Sequence, residues 1–115
     1  MTANLFAGIP AELPAELIEV LWRSGPARVE RIVSRGHATP PGEWFDQDTD
    51  EWVVLLTGAA GLRIDGRSDV VMLRPGDHLL LPARRRHRVE WTAADVETVW
   101  LAVHISAGGA SATAV

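Results

Sequence analysis

The chain has 115 residues, of which 47% are hydrophobic and 23% are charged, and its formal net charge at pH 7 is -4. This length and composition predict one folded domain with a single core and exclude a disordered or fibrous protein. The negative charge argues against nucleic-acid binding, and no apolar run is long enough to span a bilayer. The lack of cysteine excludes disulfides and thiolate metal ligands and fits a reducing compartment. From these features together we expect a cytoplasmic protein that binds neither nucleic acid nor membrane.

The first 27 residues are predicted to form an N-terminal arm with a short helix. Pro14 suits the first turn of a helix over residues 15–21, and Gly25-Pro26 would end it. The apolar residues of this stretch share one helical face, which we expect to cover a sheet edge or a partner. Exposed strand edges and this helix together predict a homodimer.

From residue 28 onward the pattern changes to short strands separated by turn signals. The predicted strands are Val29–Val33, Trp44–Asp46, Glu51–Leu56, Val70–Leu73, His78–Leu81, Arg86–Trp91 and Thr98–Ile105, with a hairpin turn at Asp65-Gly66. Strands at intervals of about 8 to 12 residues, with no long helix between them, predict an all-β barrel or sandwich over residues 28–105. Residues 106–115 are small and polar and are predicted to be a disordered tail.

Several kinds of catalysis are excluded by residues that the chain lacks. Without cysteine, and without a Gly-x-Ser-x-Gly elbow or a phosphate-binding Gly-x-x-x-x-Gly-Lys loop, nucleophilic catalysis and nucleotide binding have no support. Lysine is absent from the sequence, which excludes Schiff-base chemistry and a pyridoxal phosphate anchor.

One spaced pattern carries the functional signal. It runs from Glu51 through Gly58 to Pro75-Gly76-Asp77, Pro82 and His87. This pattern resembles the two motifs of the cupin family, and the resemblance covers roughly residues 28–105. It implies a small single-domain type-2 cupin, an RmlC-like jelly-roll barrel. It also implies that Glu51 and His87 converge on one metal ion inside the barrel, whereas the alternative is a buried carboxylate–imidazole pair that satisfies itself by hydrogen bonding.

The two histidines that usually precede the glutamate of the first cupin motif are missing. Depending on the spacing used, their positions are occupied by Trp44 and Asp46 or by Phe45 and Gln47, and strand alternation allows only one pair to face inward. We favour Asp46 as the third metal ligand because an ionised carboxylate binds divalent ions more readily than an amide does, and we keep Gln47 as the alternative. The expected cofactor is a divalent transition metal, Mn, Fe, Ni or Zn.

Four further residues are expected to shape a ligand pocket around the ion. Trp44 and Trp91 offer large rings with an N–H group, and alternation predicts that Trp91 shares a face with His87. Arg84 replaces the usual glycine of the second motif and lies in the predicted loop at the barrel mouth, where a guanidinium could hold an anion. His104 either lines the cavity or packs in the core.

Two functions remain open on the sequence alone. The first is a metal-dependent cupin that acts on a small oxygenated substrate. The second is a non-catalytic cupin module that binds a small anionic or sugar-like ligand. The partner in either case is a small molecule.

Overall fold

The computed structural model describes residues 1–106 and has the all-β fold that the sequence predicts. Its strands are β1 (Leu17–Ser24), β2 (Ala27–Ser34), β3 (Thr49–Thr57), β4 (Ala60–Ile64), β5 (Val71–Leu73), β6 (His78–Leu81), β7 (His87–Thr92) and β8 (Thr98–Ser106). Within residues 1–106 no helix is long and apolar enough to cross a membrane. Residues 107–115 of the predicted tail lie outside the described residues, and the division into arm, barrel and tail stays a prediction.

Two antiparallel sheets enclose the core. The larger sheet has the order β1-β2-β8-β3-β6, and the smaller has the order β5-β4-β7. Buried side chains from both sheets pack together between them: Val53, Leu55, Ala60, Leu62, Ile64, Leu73, Leu81, Trp100 and Ala102. Because side chains alternate along a strand, β3 directs Glu51, Val53 and Leu55 to the inside. This arrangement is the predicted jelly roll, and it places Glu51 at the end of the apolar core.

The predicted N-terminal helix is wrong. Residues 17–24 form β1, an edge strand that pairs antiparallel with β2. Gly25-Pro26 forms the tight turn between the two strands, with Gly25 at a φ of 53°, and does not end a helix. The alternation of Ile18 and Val20 fits a strand, and pairing with β2 outweighs the helical pattern of leucines.

Residues 5–7 of the N-terminal segment lie against the outer side of β2. The buried Arg31 donates hydrogen bonds to the carbonyl oxygens of Leu5 (3.0 Å) and Ala7 (2.6 Å). His37 accepts a hydrogen bond from the Arg35 amide at Nδ1 (2.9 Å), which leaves Nε2 to donate to the Leu13 carbonyl (3.0 Å). Both ring nitrogens of His37 therefore have protein partners.

The predicted strand Trp44–Asp46 is reduced to a single bridge. Phe45 and His87 exchange two backbone hydrogen bonds of 2.7 and 3.1 Å, and no further ladder forms in this segment. The bridge attaches the segment before β3 to the start of β7, and so it brings two parts of the predicted site together.

Candidate functional site

A cavity of about 100 Å³ lies between the two sheets. Six polar side chains line it together with apolar side chains from both sheets: Glu16, Glu30, Gln47, Glu51, His87 and His104. The two histidines, Glu30 and Glu51 are buried. Because an unpaired buried charge is costly, the contacts among these groups decide what the cavity can do.

Glu51 stands between two imidazole rings. It pairs with His104 across strands β3 and β8, and His87 begins β7 in the opposite sheet. Glu51 Oε1 lies 3.7 Å from His87 Nε2, and Glu51 Oε2 lies 4.0 Å from His104 Nε2. The structure therefore brings Glu51 and His87 to one cavity, and His104 lines this cavity as well.

The hydrogen bond at His87 Nδ1 determines the tautomer of the ring. Nδ1 lies 3.2 Å from the carbonyl oxygen of Arg85. A carbonyl oxygen can only accept, so Nδ1 carries the hydrogen. In the neutral ring, Nε2 then directs a lone pair at the carboxylate of Glu51, which is also an acceptor. A cation between these atoms, either a proton on Nε2 or a metal ion, would remove this mismatch.

His104 is held by a hydroxyl on one side and a carboxylate on the other. Its Nδ1 lies 3.0 Å from Thr49 Oγ1, and its Nε2 lies 3.2 Å from Glu30 Oε1. The second oxygen of Glu30 accepts a hydrogen bond of 2.8 Å from Arg28. A carboxylate can only accept, so Nε2 of His104 carries the hydrogen, and the hydroxyl of Thr49 donates to Nδ1.

Glu30 is a site residue that the sequence analysis missed. The stretch Val29–Val33 alternates, but it carries Glu30 and Arg31 at adjacent positions, so each face of the strand has one charged residue. Only the packing shows that Glu30 points into the cavity, whereas Arg31 is covered by the N-terminal segment. The available signal was that Glu30 shares a face with Ile32.

The structure separates the two candidates for the third metal ligand. Gln47 lines the cavity, and its Nε2 donates a hydrogen bond of 2.9 Å to Glu51 Oε1. Asp46 points the other way and pairs with Arg84, with an Nε–Oδ1 distance of 3.2 Å. The preference for Asp46 is therefore corrected, because Phe45 and Gln47 are the inward pair around it. Phe45 stacks on the ring of His87 with centroids 5.4 Å apart.

Trp91 does not share the face of His87, contrary to the prediction from alternation. Along β4 and β7, Leu62 pairs with Val89 but Gly61 pairs with Trp91, so one extra residue is inserted in β7. Such a β-bulge reverses the alternation beyond it. Val89 lines the cavity with Leu62, whereas Trp91 packs beside Gly61, where a Cβ would lie 2.4 Å from the indole nitrogen.

Trp44 and Arg84 also lie outside this cavity. The ring of Trp44 has the Arg86 guanidinium 5.2 Å from its centroid, and it lines a second hollow at the surface. Arg84 is exposed, has a φ of 66° and holds Asp46. Of the four residues predicted for the pocket, His104 alone lines the inner cavity.

The donor types in the cavity suit a divalent ion, although the side chains would have to move. As they stand, no three histidine, aspartate or glutamate side chains within residues 1–106 form a group that could hold a metal ion. Two ligands at about 2.1 Å from one ion are about 3.0 to 3.5 Å apart at octahedral or tetrahedral angles. The separations of Glu51 from His87 and His104, 3.7 and 4.0 Å, exceed this range by a distance that side-chain rotations can remove.

Comparison with solved structures finds chains that are similar to this one. A protein of Ralstonia eutropha JMP134, provisionally named a mannose-6-phosphate isomerase, is 44% identical with a TM-score of 0.89, over 92% of this chain and 98% of that chain. A cupin superfamily protein of Desulfitobacterium hafniense DCB-2 is 19% identical with a TM-score of 0.69, over 85% and 84% of the two chains. An RmlC-like cupin of Methanocaldococcus jannaschii with a double-stranded β-helix fold is 12% identical with a TM-score of 0.66, over 86% and 87%. No protein-family model and no curated protein matches the chain.

Proposed function

The chain belongs to the cupin superfamily, and from that premise we propose that it binds a divalent metal ion and acts on a small oxygenated ligand. The proposed metal ligands are Glu51 and His87. His104 would be a third ligand once its Nε2 gives up the hydrogen that faces Glu30, and Gln47 lies beside them. Mn(II), Fe(II), Ni(II) or Zn(II) would suit this combination of imidazole and oxygen donors.

The orientation of His87 is the observation that carries the proposal. Its Nδ1–H is directed at the Arg85 carbonyl, and its Nε2 is directed at Glu51. Imidazole ligands of metal ions are commonly oriented in this way, with one nitrogen bonded to a backbone carbonyl and the other free for the ion. A neutral His87 therefore presents a ligand atom to the cavity without any change of tautomer.

A bound divalent ion would supply a Lewis acid that polarises a ligand oxygen or lowers the pKa of a bound water. The chain itself would supply proton transfer. Glu30 is the carboxylate beside the proposed ligands, and Arg28 holds one of its oxygens so that the other faces the cavity at His104. Glu30 is thus the candidate general base.

The name of the Ralstonia protein adds sugar isomerisation as one candidate reaction. Interconversion of an aldose and a ketose moves a proton between neighbouring carbon atoms, and it requires a base close to both. Glu30 would have this role in the present chain, and a metal ion held by Glu51 and His87 would polarise the carbonyl oxygen.

A non-catalytic binding module is the second candidate, and the contact of Gln47 favours it. The amide nitrogen of Gln47, not its oxygen, faces Glu51. This hydrogen bond helps to satisfy the carboxylate without a metal ion, and the amide would have to rotate before its oxygen could bind one. In this case the cavity would hold a small neutral ligand in an arrangement that needs no ion.

Metal binding separates the two candidates. Protein purified without added metal would be analysed for metal content and then titrated with Mn(II) by calorimetry. Glu51→Gln and His87→Gln should each weaken Mn(II) binding at least about tenfold, because each removes a proposed ligand. His78→Gln is the matched control, since His78 is exposed, stands beside the ring of Trp52 and does not line the cavity.

The same samples would be heated with and without Mn(II). A ligand that binds the folded state raises the midpoint of unfolding, so the wild type and His78→Gln should be stabilised and the two site variants should not. If the site variants bind Mn(II) and are stabilised as the wild type is, the metal site is refuted. If the wild type binds no metal ion, the binding module becomes the better account.

A further inference from the structure

A second hollow of about 380 Å³ lies next to the inner cavity. The two share the side chains of Glu16, Phe45 and Val89. Glu16 is anchored at this boundary by the hydroxyl of the fully buried Ser34, which donates a hydrogen bond of 2.8 Å. The outer hollow has the size of a small-molecule site, whereas the inner cavity holds only a few atoms.

One wall of the outer hollow is fixed by the guanidinium of Arg88. It donates hydrogen bonds to the carbonyl oxygens of Thr39 (3.0 Å), Pro40 (3.1 Å) and Glu43 (3.1 Å). It also binds Glu90, and this hydrogen bond lowers the pKa of the Glu90 carboxyl. The wall is therefore ordered before a ligand arrives, which reduces the entropy lost on binding.

The charges around both compartments have one sign. Carboxylates line the outer hollow at Glu16 and Glu43 and the inner cavity at Glu30 and Glu51. In the described part of the chain no arginine side chain lines either compartment, and the sequence contains no lysine. A phosphate group bound in the outer hollow would lose water and gain no arginine or lysine partner.

The arginines that contact residues in or beside the linings of the two compartments already have partners. Arg28 donates to Glu30, and Arg84 holds Asp46. Arg86 lies over the ring of Trp44. Recruiting one of them to a phosphate would break a contact that the folded chain already makes.

We propose that the two compartments form one site for an uncharged, hydroxyl-bearing ligand, an unphosphorylated sugar or polyol. The outer hollow would hold the body of the ligand against Trp44, with Glu16 and Glu43 accepting hydrogen bonds from its hydroxyl groups. The reacting end would enter the inner cavity past Phe45. This inference rests on the proposed function because it names the substrate class of that site.

The test compares mannose with mannose 6-phosphate, which differ in the phosphate alone. Each would be titrated into Mn(II)-loaded protein by calorimetry. Mannose should bind about tenfold or more tightly than its phosphate ester, because the ester brings negative charge beside carboxylates. Equal or tighter binding of the ester overturns the proposal, as does a failure of mannose to bind.

Glu43→Gln tests the electrostatic cause. It should raise the affinity for mannose 6-phosphate several-fold, because a neutral amide no longer repels the phosphate. It should lower the affinity for mannose, because the amide is a weaker acceptor for the ligand's hydroxyl groups than the carboxylate. The exposed Glu12→Gln is the control with the same charge change outside both hollows. An ester affinity that is the same in Glu43→Gln and Glu12→Gln contradicts the charge argument.

Titration with Mn(II) alone keeps this proposal separate from the metal site. If Mn(II) binds but the ester is preferred, the proposed function stands and the substrate class fails. If Mn(II) does not bind but mannose does, and the ester is excluded, the metal site fails and the inference on the ligand stands.

Discussion

Gly58, the glycine of the motif that begins at Glu51, is the position where the structure predicts the largest effect of one added methyl group. It follows the last residue of β3 and has a φ of 84°, a conformation that residues with a side chain rarely adopt. A Cβ at this position would lie 2.7 Å from Thr98 Cα and 2.8 Å from the carbonyl oxygen of Glu97. Both are backbone atoms of the segment that leads into β8, so no side-chain rotation can remove the overlap.

The expected loss for Gly58→Ala is the sum of two terms. The left-handed backbone conformation costs an alanine about 1–2 kcal/mol. Overpacking against atoms that cannot rotate away costs about 1–3 kcal/mol more. The total of about 2–5 kcal/mol is a large part of the roughly 5–15 kcal/mol by which a typical domain is stable.

Gly66→Ala separates the two terms. Gly66 has a similar φ of 90°, but a Cβ there would meet nothing within 4 Å. This variant should therefore lose only the backbone term. Urea unfolding followed by tryptophan fluorescence would measure the free energy of unfolding of both variants. If Gly58→Ala loses no more stability than Gly66→Ala, the close approach of β3 to the segment before β8 does not have the energetic role that we assign to it.

Two further predictions concern the metal ligands and the oligomer. Asp46→Asn should leave Mn(II) affinity unchanged in calorimetry, because the carboxylate pairs with Arg84 outside the cavity. Gln47→Ala should change the affinity, because Gln47 lines the cavity. A loss of affinity in Asp46→Asn with none in Gln47→Ala would favour Asp46 as the metal ligand. The predicted homodimer stays a proposal, for which β1 offers an edge strand with exposed apolar side chains. Val20→Lys should convert a dimer to a monomer in light scattering, since a charge on an edge strand opposes pairing, and a wild type that is already monomeric would refute the proposed dimer.

The spaced motif was sufficient to predict that Glu51 and His87 line the same cavity. Glu51 is the third residue of β3 and faces inward, Gly58 adopts a positive φ after the strand ends, and His87 is the first residue of β7. Turn chemistry and strand alternation are local properties, so they can be read from spacing alone. The all-β architecture was predicted for the same reason, whereas the jelly roll was implied by the resemblance to the cupin family.

The rest of the site depended on contacts between distant segments. Gln47 faces inward and Asp46 outward because Phe45 bridges to His87, a residue more than forty positions away. Trp91 lies on the opposite face of β7 from His87 because one inserted residue in this strand reverses the alternation. The N-terminal helix was wrongly predicted because β2 offered an edge with which residues 17–24 could pair.

The sequence by itself determined most strands of the barrel and the turn glycines, because these follow from the preferences of neighbouring residues. Its spaced motif, through the resemblance to the cupin family, implied that Glu51 and His87 share the cavity. Tertiary structure alone decided that Glu30 and His104 join this pair, that Asp46 does not, and that carboxylates line both compartments. The physical reason is that the facing of a side chain depends on register and bulges, which are set by pairing between strands far apart in the chain.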